Sequence, residues 1–286
     1  MNFWQYAFMQ RALIAAVLVG LSAPAVGTYL VQRRLSLVGD GIGHIALTGV
    51  ALGFLLGTAP VLTAVVVAVL GAILVETIMA RGKASGDVAL ALLFYGGIAL
   101  GVLLISLSPG GNSSTLLTYL FGSLVSVGPG DVAVIALLAF VVLAVAFGLR
   151  RQLFAVCQDP EYARVAGLPV SALNITLAAL TAVTVTLSMR VVGVLLISAL
   201  MVVPVATAQQ VTRSFRATLF GAVLLGVALS VSGLIGSFYL DTPSGPTVVV
   251  LAVLVFVVVA GAVGLRHRWH LHRKPGPQPQ PLTVRP

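Results

Sequence analysis

Apolar runs of about 20 residues recur along almost the whole of this 286-residue chain, and a run of that length matches one helical crossing of a bilayer. In hydrocarbon every backbone N–H and C=O needs an internal partner, which leaves helices and closed barrels as the spanning structures. The runs are continuous instead of alternating apolar with polar, so a helical bundle follows and a barrel does not. Charged residues make up only 8% of the chain, against about 25% in soluble domains. Nothing of any size is left over to fold as a soluble domain. The expected class is therefore all-α, a polytopic transmembrane bundle.

The formal charge of +9 comes from 16 Lys and Arg against 7 Asp and Glu. The basic residues gather in short segments between runs: Arg33/Arg34, Arg81/Lys83, Arg150/Arg151/Arg164, Arg213/Arg216 and Arg266/Arg268/Arg273/Lys274. That is the positive-inside pattern of a membrane protein, not a nucleic-acid patch, and no nucleic-acid partner is expected. With all five clusters in the cytoplasm, spans fall at roughly 11–31, 35–56, 61–79, 88–107, 131–149, 171–189, 191–208, 217–235 and 247–265. This gives about eight or nine crossings of the cytoplasmic membrane, with the N-terminus outside and the C-terminus inside. The first run is too long for a signal-peptide core and reads as a retained span.

Two places strain that count. "TLLTYLFGSLVSV", 115–127, is too short to cross and is expected as an external or re-entrant helix. The runs 171–189 and 191–208 are separated by little more than Arg190, which leaves one of them open to being broken or re-entrant. Residues 1–274 form the transmembrane domain, and the Pro-rich tail 275–286 is expected to be disordered. Gly39/Gly43, Gly49/Gly53/Gly57 and Gly97/Gly101 are spaced for close helix packing. The single Cys157 has no partner for an internal disulfide.

The cytoplasmic loop after Arg151 carries its own helix signals. Asp159 suits an N-cap, Pro160 the first helical position, and Glu161 the positive end of the helix dipole. Gly167 suits the C′ position and Pro169 stops continuation. Asp159, Pro160, Glu161, Tyr162, Ala163, Arg164, Val165, Ala166 and Gly167 thus specify about two turns. A helix that short is marginal alone in water, so it docks either on its own bundle or into a partner on the cytoplasmic face. The chain has no G-x-x-x-x-G-K-[ST] phosphate loop; any ATP use belongs to another polypeptide, and the chain itself is not read as an enzyme.

Five stretches carry a family resemblance: "RRLSLVGDGIGHIALTGVAL" (33–52), "LLTYLFGSL" (116–124), "DPEYARVAGL" (159–168), "VVGVLLISALMVVPVATA" (191–208) and "TPSGPTVVVL" (242–251). In this order they resemble the membrane permeases of metal-importing ATP-binding cassette transporters, the zinc, manganese and iron class. The resemblance implies a second copy of this chain, two copies of a cytoplasmic ATP-binding subunit, and an extracytoplasmic metal-binding protein that delivers cargo. It implies no permanently bound cofactor, since the divalent metal ion is the transported substrate. It also implies that 159–167 couples to the ATPase, and that Asp40 and His44 match the family's acid and histidine in the metal path.

The residues themselves support that last point. Positions four apart share a helix face, so Ser36, Asp40, His44 and Thr48 form a polar stripe on an otherwise apolar run. Carboxylate oxygen and imidazole nitrogen suit Zn(II), Mn(II) and Fe(II). Two ligands are few for a tight site, whereas a twofold dimer supplies two of each. The competing reading has Asp40 capping the helix or pairing with a basic residue, and His44 bonded to a neighbouring span.

Elsewhere, Glu76 precedes Arg81 by five residues and reads as a structural ion pair, while Asp87 and Asp131 read as N-caps. Arg190 fits either the delivery protein or a nearby carboxylate. Pro243, Ser244, Gly245 and Pro246 form a rigid outer turn suited to a gate or to packing. His267, His270 and His272 sit in a basic segment suited to anionic membrane lipid, with metal binding the alternative. Two other functions remain open at this level: an importer of the same design for a siderophore or corrinoid, and a secondary ion-coupled transporter.

Overall fold

The computed structural model describes residues 7–80, 86–108, 113–122 and 128–272. Twelve helices account for the ordered elements among them: α1 (Ala7–Gln32), α2 (Val38–Leu55), α3 (Pro60–Ala80), α4 (Gly86–Leu107), α5 (Ser113–Phe121), α6 (Pro129–Gly148), α7 (Arg150–Gln158), α8 (Pro160–Val165), α9 (Val170–Ser188), α10 (Val194–Val211), α11 (Phe215–Leu240) and α12 (Ser244–His272). Nine of these are long and apolar enough to cross a membrane, all but α5, α7 and α8. The tail 275–286 and the pair Arg81/Lys83 lie outside the described residues.

The bundle is built around α1 and α2, each 72% buried over its apolar window, whereas α4 and α12 are 17% and 11% buried. Small residues set the close crossings, as expected where lipid supplies no hydrophobic drive between helices. A methyl group on Gly20 would lie 2.8 Å from the carbonyl oxygen of Gly226 in α11, and one on Gly27 would overlap the Met201 carbonyl of α10. Hydroxyls inside the bundle satisfy themselves along their own helix: Thr181, Thr184, Thr186 and Ser188 of α9 each donate to the carbonyl four residues back at 2.7–2.8 Å.

Three details differ from the sequence expectations. The segment at 115–127 becomes α5, nine residues ending at Phe121, with 123–127 outside the described residues. The run at 191–208 is an unbroken helix from Val194 to Val211, even with Pro204 inside it. A further short helix, α7, has no counterpart among those expectations: it continues almost directly from α6 and buries Leu153, Val156 and Cys157.

The turn between α9 and α10 lies deep. A Cβ on Gly43 of α2 would meet Val194 at 2.9 Å and Val185 at 3.5 Å, so the end of α9 and the start of α10 reach α2 at one level. From Gly43, α2 continues twelve residues to Leu55, about 18 Å along its axis. Met189, Val191 and Val192 of this turn are 0–3% exposed.

Candidate functional site

Asp40 and His44 stand on successive turns at the start of α2. Ser36 lies in the preceding turn, so the helical part of the stripe is Asp40, His44 and Thr48. The N-cap of α2 is Leu37, with no side-chain cap bond. Asp40 therefore does not cap the helix, although its charge sits favourably in the first turn. Its carboxylate is half-buried and forms no ion pair among the described residues.

The stripe faces α4. Thr48 donates to the carbonyl of Gly97 at 2.9 Å, an interhelical bond of about 0.6 kcal/mol by analogy with membrane bundles. A Cβ on Gly97 would lie 2.8 Å from the carbonyl carbon of His44, and one on Gly101 would lie 3.3 Å from Leu47. Those two glycines let α4 press directly onto the stripe. His44 is 3% exposed, its ring is packed edge-on against Phe94 with centroids 4.5 Å apart, and its Nδ1 is buried with no hydrogen-bond partner. The expected bond from a neighbouring span to His44 is thus not made at Nδ1. Among the described residues no three His, Cys, Asp or Glu side chains come together.

The basic ends of the helices hold the second feature. A cavity of about 580 Å³ is lined by Arg33, Glu76 and Asn174, and by Pro160 and Arg164 of α8. Glu76 pairs with Arg33 of the α1–α2 turn at 3.5 Å; the sequence-local partner proposed for it, Arg81, lies outside the described residues. The packing of α2 against α3 explains the choice, because the antiparallel pair brings the end of α3 beside the start of α2.

Helix α8 is shorter than expected, six residues, but its ends are those the sequence specifies. The Asp159 carboxylate accepts from the N–H groups of Glu161 and Tyr162 at 3.0 and 2.9 Å. Gly167 has φ +81°, and Leu168 N–H returns to the Ala163 carbonyl at 3.0 Å, the C-terminal closure that favours glycine. Ala163 is buried, while Tyr162 and Val165 are 69% and 88% exposed. The helix thus anchors on one small residue and presents an aromatic and an aliphatic side chain outward.

At the opposite end, three chain segments interlock. Gly122 and Gly193 adopt φ +74° and +95°, and side chains there would strike the Val191 and Leu120 carbonyls across the contact. Gly245 packs beneath the carbonyls of Val192 and Phe121, and Ser244 is buried beside it. Pro243 and Pro246 flank this packed pair. Beside it, Arg190 pairs with Asp131 at 2.7 Å. Asp131 is not the N-cap of α6; that residue is Gly128, whose N–H donates to the Asp131 carboxylate at 2.8 Å. The side chains of Asp87, His267, His270 and His272 lie outside the described residues.

Comparison with known proteins places this architecture. The model of the ABC 3 transport family matches residues 5–262. The chain is 34% identical over 253 residues, 88% of its length and 84% of the relative's, to the chelated iron transport system membrane protein YfeD of Yersinia pestis. It is 32% identical over 251 residues, 88% of its length and 90% of the relative's, to the manganese import system permease protein ScaB of Streptococcus gordonii. Among solved structures, PsaBC from Streptococcus pneumoniae in complex with Fab superposes with a TM-score of 0.80 at 31% identity, covering 90% of this chain and 92% of the other.

Proposed function

This chain belongs to the ABC 3 transport family and is the multi-pass membrane permease of an ATP-binding cassette importer, and we propose that its cargo, a divalent ion of the zinc, manganese and iron group, passes by Asp40 and His44. The relatives' own names divide among zinc, manganese and iron, which supports the class and leaves the choice within it to the ligands' shared chemistry. The observation that carries the reading is a buried imidazole nitrogen without a partner, one helical turn from a half-buried carboxylate. Intramembrane ionisable residues mark ion paths far more often than packing, and an unpartnered buried polar atom calls for a ligand.

One Asp and one His hold a metal weakly. A second copy of the permease brings a second pair, and a four-ligand set suits Zn(II), Mn(II) or Fe(II) while remaining loose enough to release its ion. As a permease the chain does not hydrolyse ATP. The power stroke comes from two cytoplasmic ATP-binding subunits, received by α8 through the exposed Tyr162 and Val165 and passed to the inner cavity that Pro160 and Arg164 line. An extracytoplasmic metal-binding protein delivers the ion to the opposite end.

The test is metal uptake by Asp40→Asn and His44→Ala variants in the assembled transporter, with ATP hydrolysis measured alongside. Uptake is expected to fall at least tenfold while the complex assembles and still hydrolyses ATP. Near-normal uptake in both variants sinks the proposed path.

A further inference from the structure

We propose that Phe94 is the lid of the metal path: its ring closes the imidazole of His44 off from the outer face of α4 and must turn aside before a cation, or the ligands of a second copy, can reach it. The inference rests on the reading of Asp40 and His44 as the metal pair and adds to it the residue that governs access.

The geometry supplies three independent reasons. His44 is 3% exposed, and the Phe94 ring packs against its imidazole with centroids 4.5 Å apart at 81°. The imidazole Nδ1 beside this ring is buried and unpartnered, a cost that a purely structural neighbour offering a hydroxyl or carbonyl would have avoided. The cover is also easy to lift. Phe94 is 36% exposed and its other ring neighbour, Tyr95, is 70% exposed, so rotation of Phe94 carries it outward without displacing core side chains.

The surrounding helix suits that task. Only 17% of the Leu90–Leu107 stretch of α4 is buried, and α4 packs chiefly on α2 with light contact to α3. Gly97, one turn beyond Phe94, is the tightest point of that contact, and the Thr48 bond fixes it. An apolar lid also keeps water off the imidazole, which blocks leakage of hydrated ions while the outer side is shut.

The experiment uses the complete transporter, with its ATP-binding subunit, in proteoliposomes, and Zn(II) and Mn(II) separately as probes. Without ATP or delivery protein, Phe94→Ala is expected to raise passive flux of the transported ion about tenfold or more, and Phe94→Leu to raise it less. Adding His44→Ala to Phe94→Ala is expected to abolish the gain. In parallel, diethyl pyrocarbonate modification of His44, read by mass spectrometry, should be slow in the unaltered protein and fast in Phe94→Ala. A monodisperse Phe94→Ala complex in which His44 stays protected and flux stays at its basal level overturns the lid. Normal ATP-driven uptake by His44→Ala alone overturns the metal pair instead, so the two failures are told apart.

Discussion

The hydroxyl of Ser244, the first residue of α12, donates to the carbonyl of Val191 at 3.1 Å and so ties the last span to the buried turn between α9 and α10. Beside it, Gly245 leaves no room for a side chain under the carbonyls of Val192 and Phe121. Ser244→Ala should cost about 0.5–1.5 kcal/mol, the net worth of one buried bond. Gly245→Ala must move backbone on two other segments and should cost several times more. Thermal melting of the detergent-solubilised permease separates the two, and a Gly245→Ala protein that melts with the unaltered one would remove this contact as a determinant of stability.

The Arg190–Asp131 pair fastens the same turn to α6. Its side chains are 21% and 25% exposed, and the contact is 2.7 Å, so it lies between the weak surface pair and the costly buried one. A double-mutant cycle with Arg190→Met and Asp131→Asn is expected to return about 1.5–3 kcal/mol of coupling, the range for hydrogen bonds to charged groups. Asp131→Asn keeps an acceptor for the Gly128 N–H, so its loss reports mainly on the arginine. Additive single effects would mean the pair contributes shape and no energy.

The two ends of α8 predict a graded loss of coupling. Asp159→Ala removes the acceptor for two N–H groups and should destabilise the helix by about 1 kcal/mol. Gly167→Ala forces a side chain into φ +81° at about 1–2 kcal/mol, although nothing surrounds it within 4 Å. Neither position need touch a partner, so both variants should assemble while stimulating less metal-dependent ATP hydrolysis. Val165→Asp, at 88% exposure, should instead weaken assembly itself, measured by co-purification of the ATP-binding subunit. Equal assembly of all three variants would argue against α8 as the docking element.

How much of this was legible beforehand depends on range. The caps of α8 are local chemistry, written in Asp159, Pro160 and Gly167, and they hold in the structure to the residue. The spans are equally local, because a run of apolar residues needs no knowledge of its neighbours. The Asp40–His44 stripe was legible as a stripe, but not that it faces α4 of its own chain, since that depends on which helix Gly97 and Gly101 press against. The deep turn at 189–193 showed only as a shortage of linker around Arg190. Its packing on Gly122 and Gly245 comes from segments more than fifty residues away on either side. Helix α7 was missed although Leu153, Val156 and Cys157 follow a helical period, because three apolar residues in a basic loop are a weak signal beside twenty-residue runs. Phe94 carried no signal at all, as one of two adjacent aromatics in an otherwise aliphatic span.

Cys157 lets the structure of that missed helix be checked by chemistry. It is 8% exposed in α7, and burial pushes its thiol up to about 11, with the Arg33 guanidinium pulling partly the other way. The thiolate is the reactive form, so the rise from the ordinary value of 9.0 to about 11 makes alkylation near pH 8 about a hundredfold slower before shielding is counted. The sign for stability follows from the same shift. The folded state favours the neutral thiol, so its contribution is full below pH 9 and is lost as pH climbs toward 11. Iodoacetamide labelling of the intact permease, compared with the unfolded chain by mass spectrometry, should show that suppression, and a Cys157→Ser variant should lose stability less steeply between pH 9 and 11. Equal labelling rates in the folded and unfolded chain would place Cys157 outside the packed face of α7 and take the helix's anchoring with it.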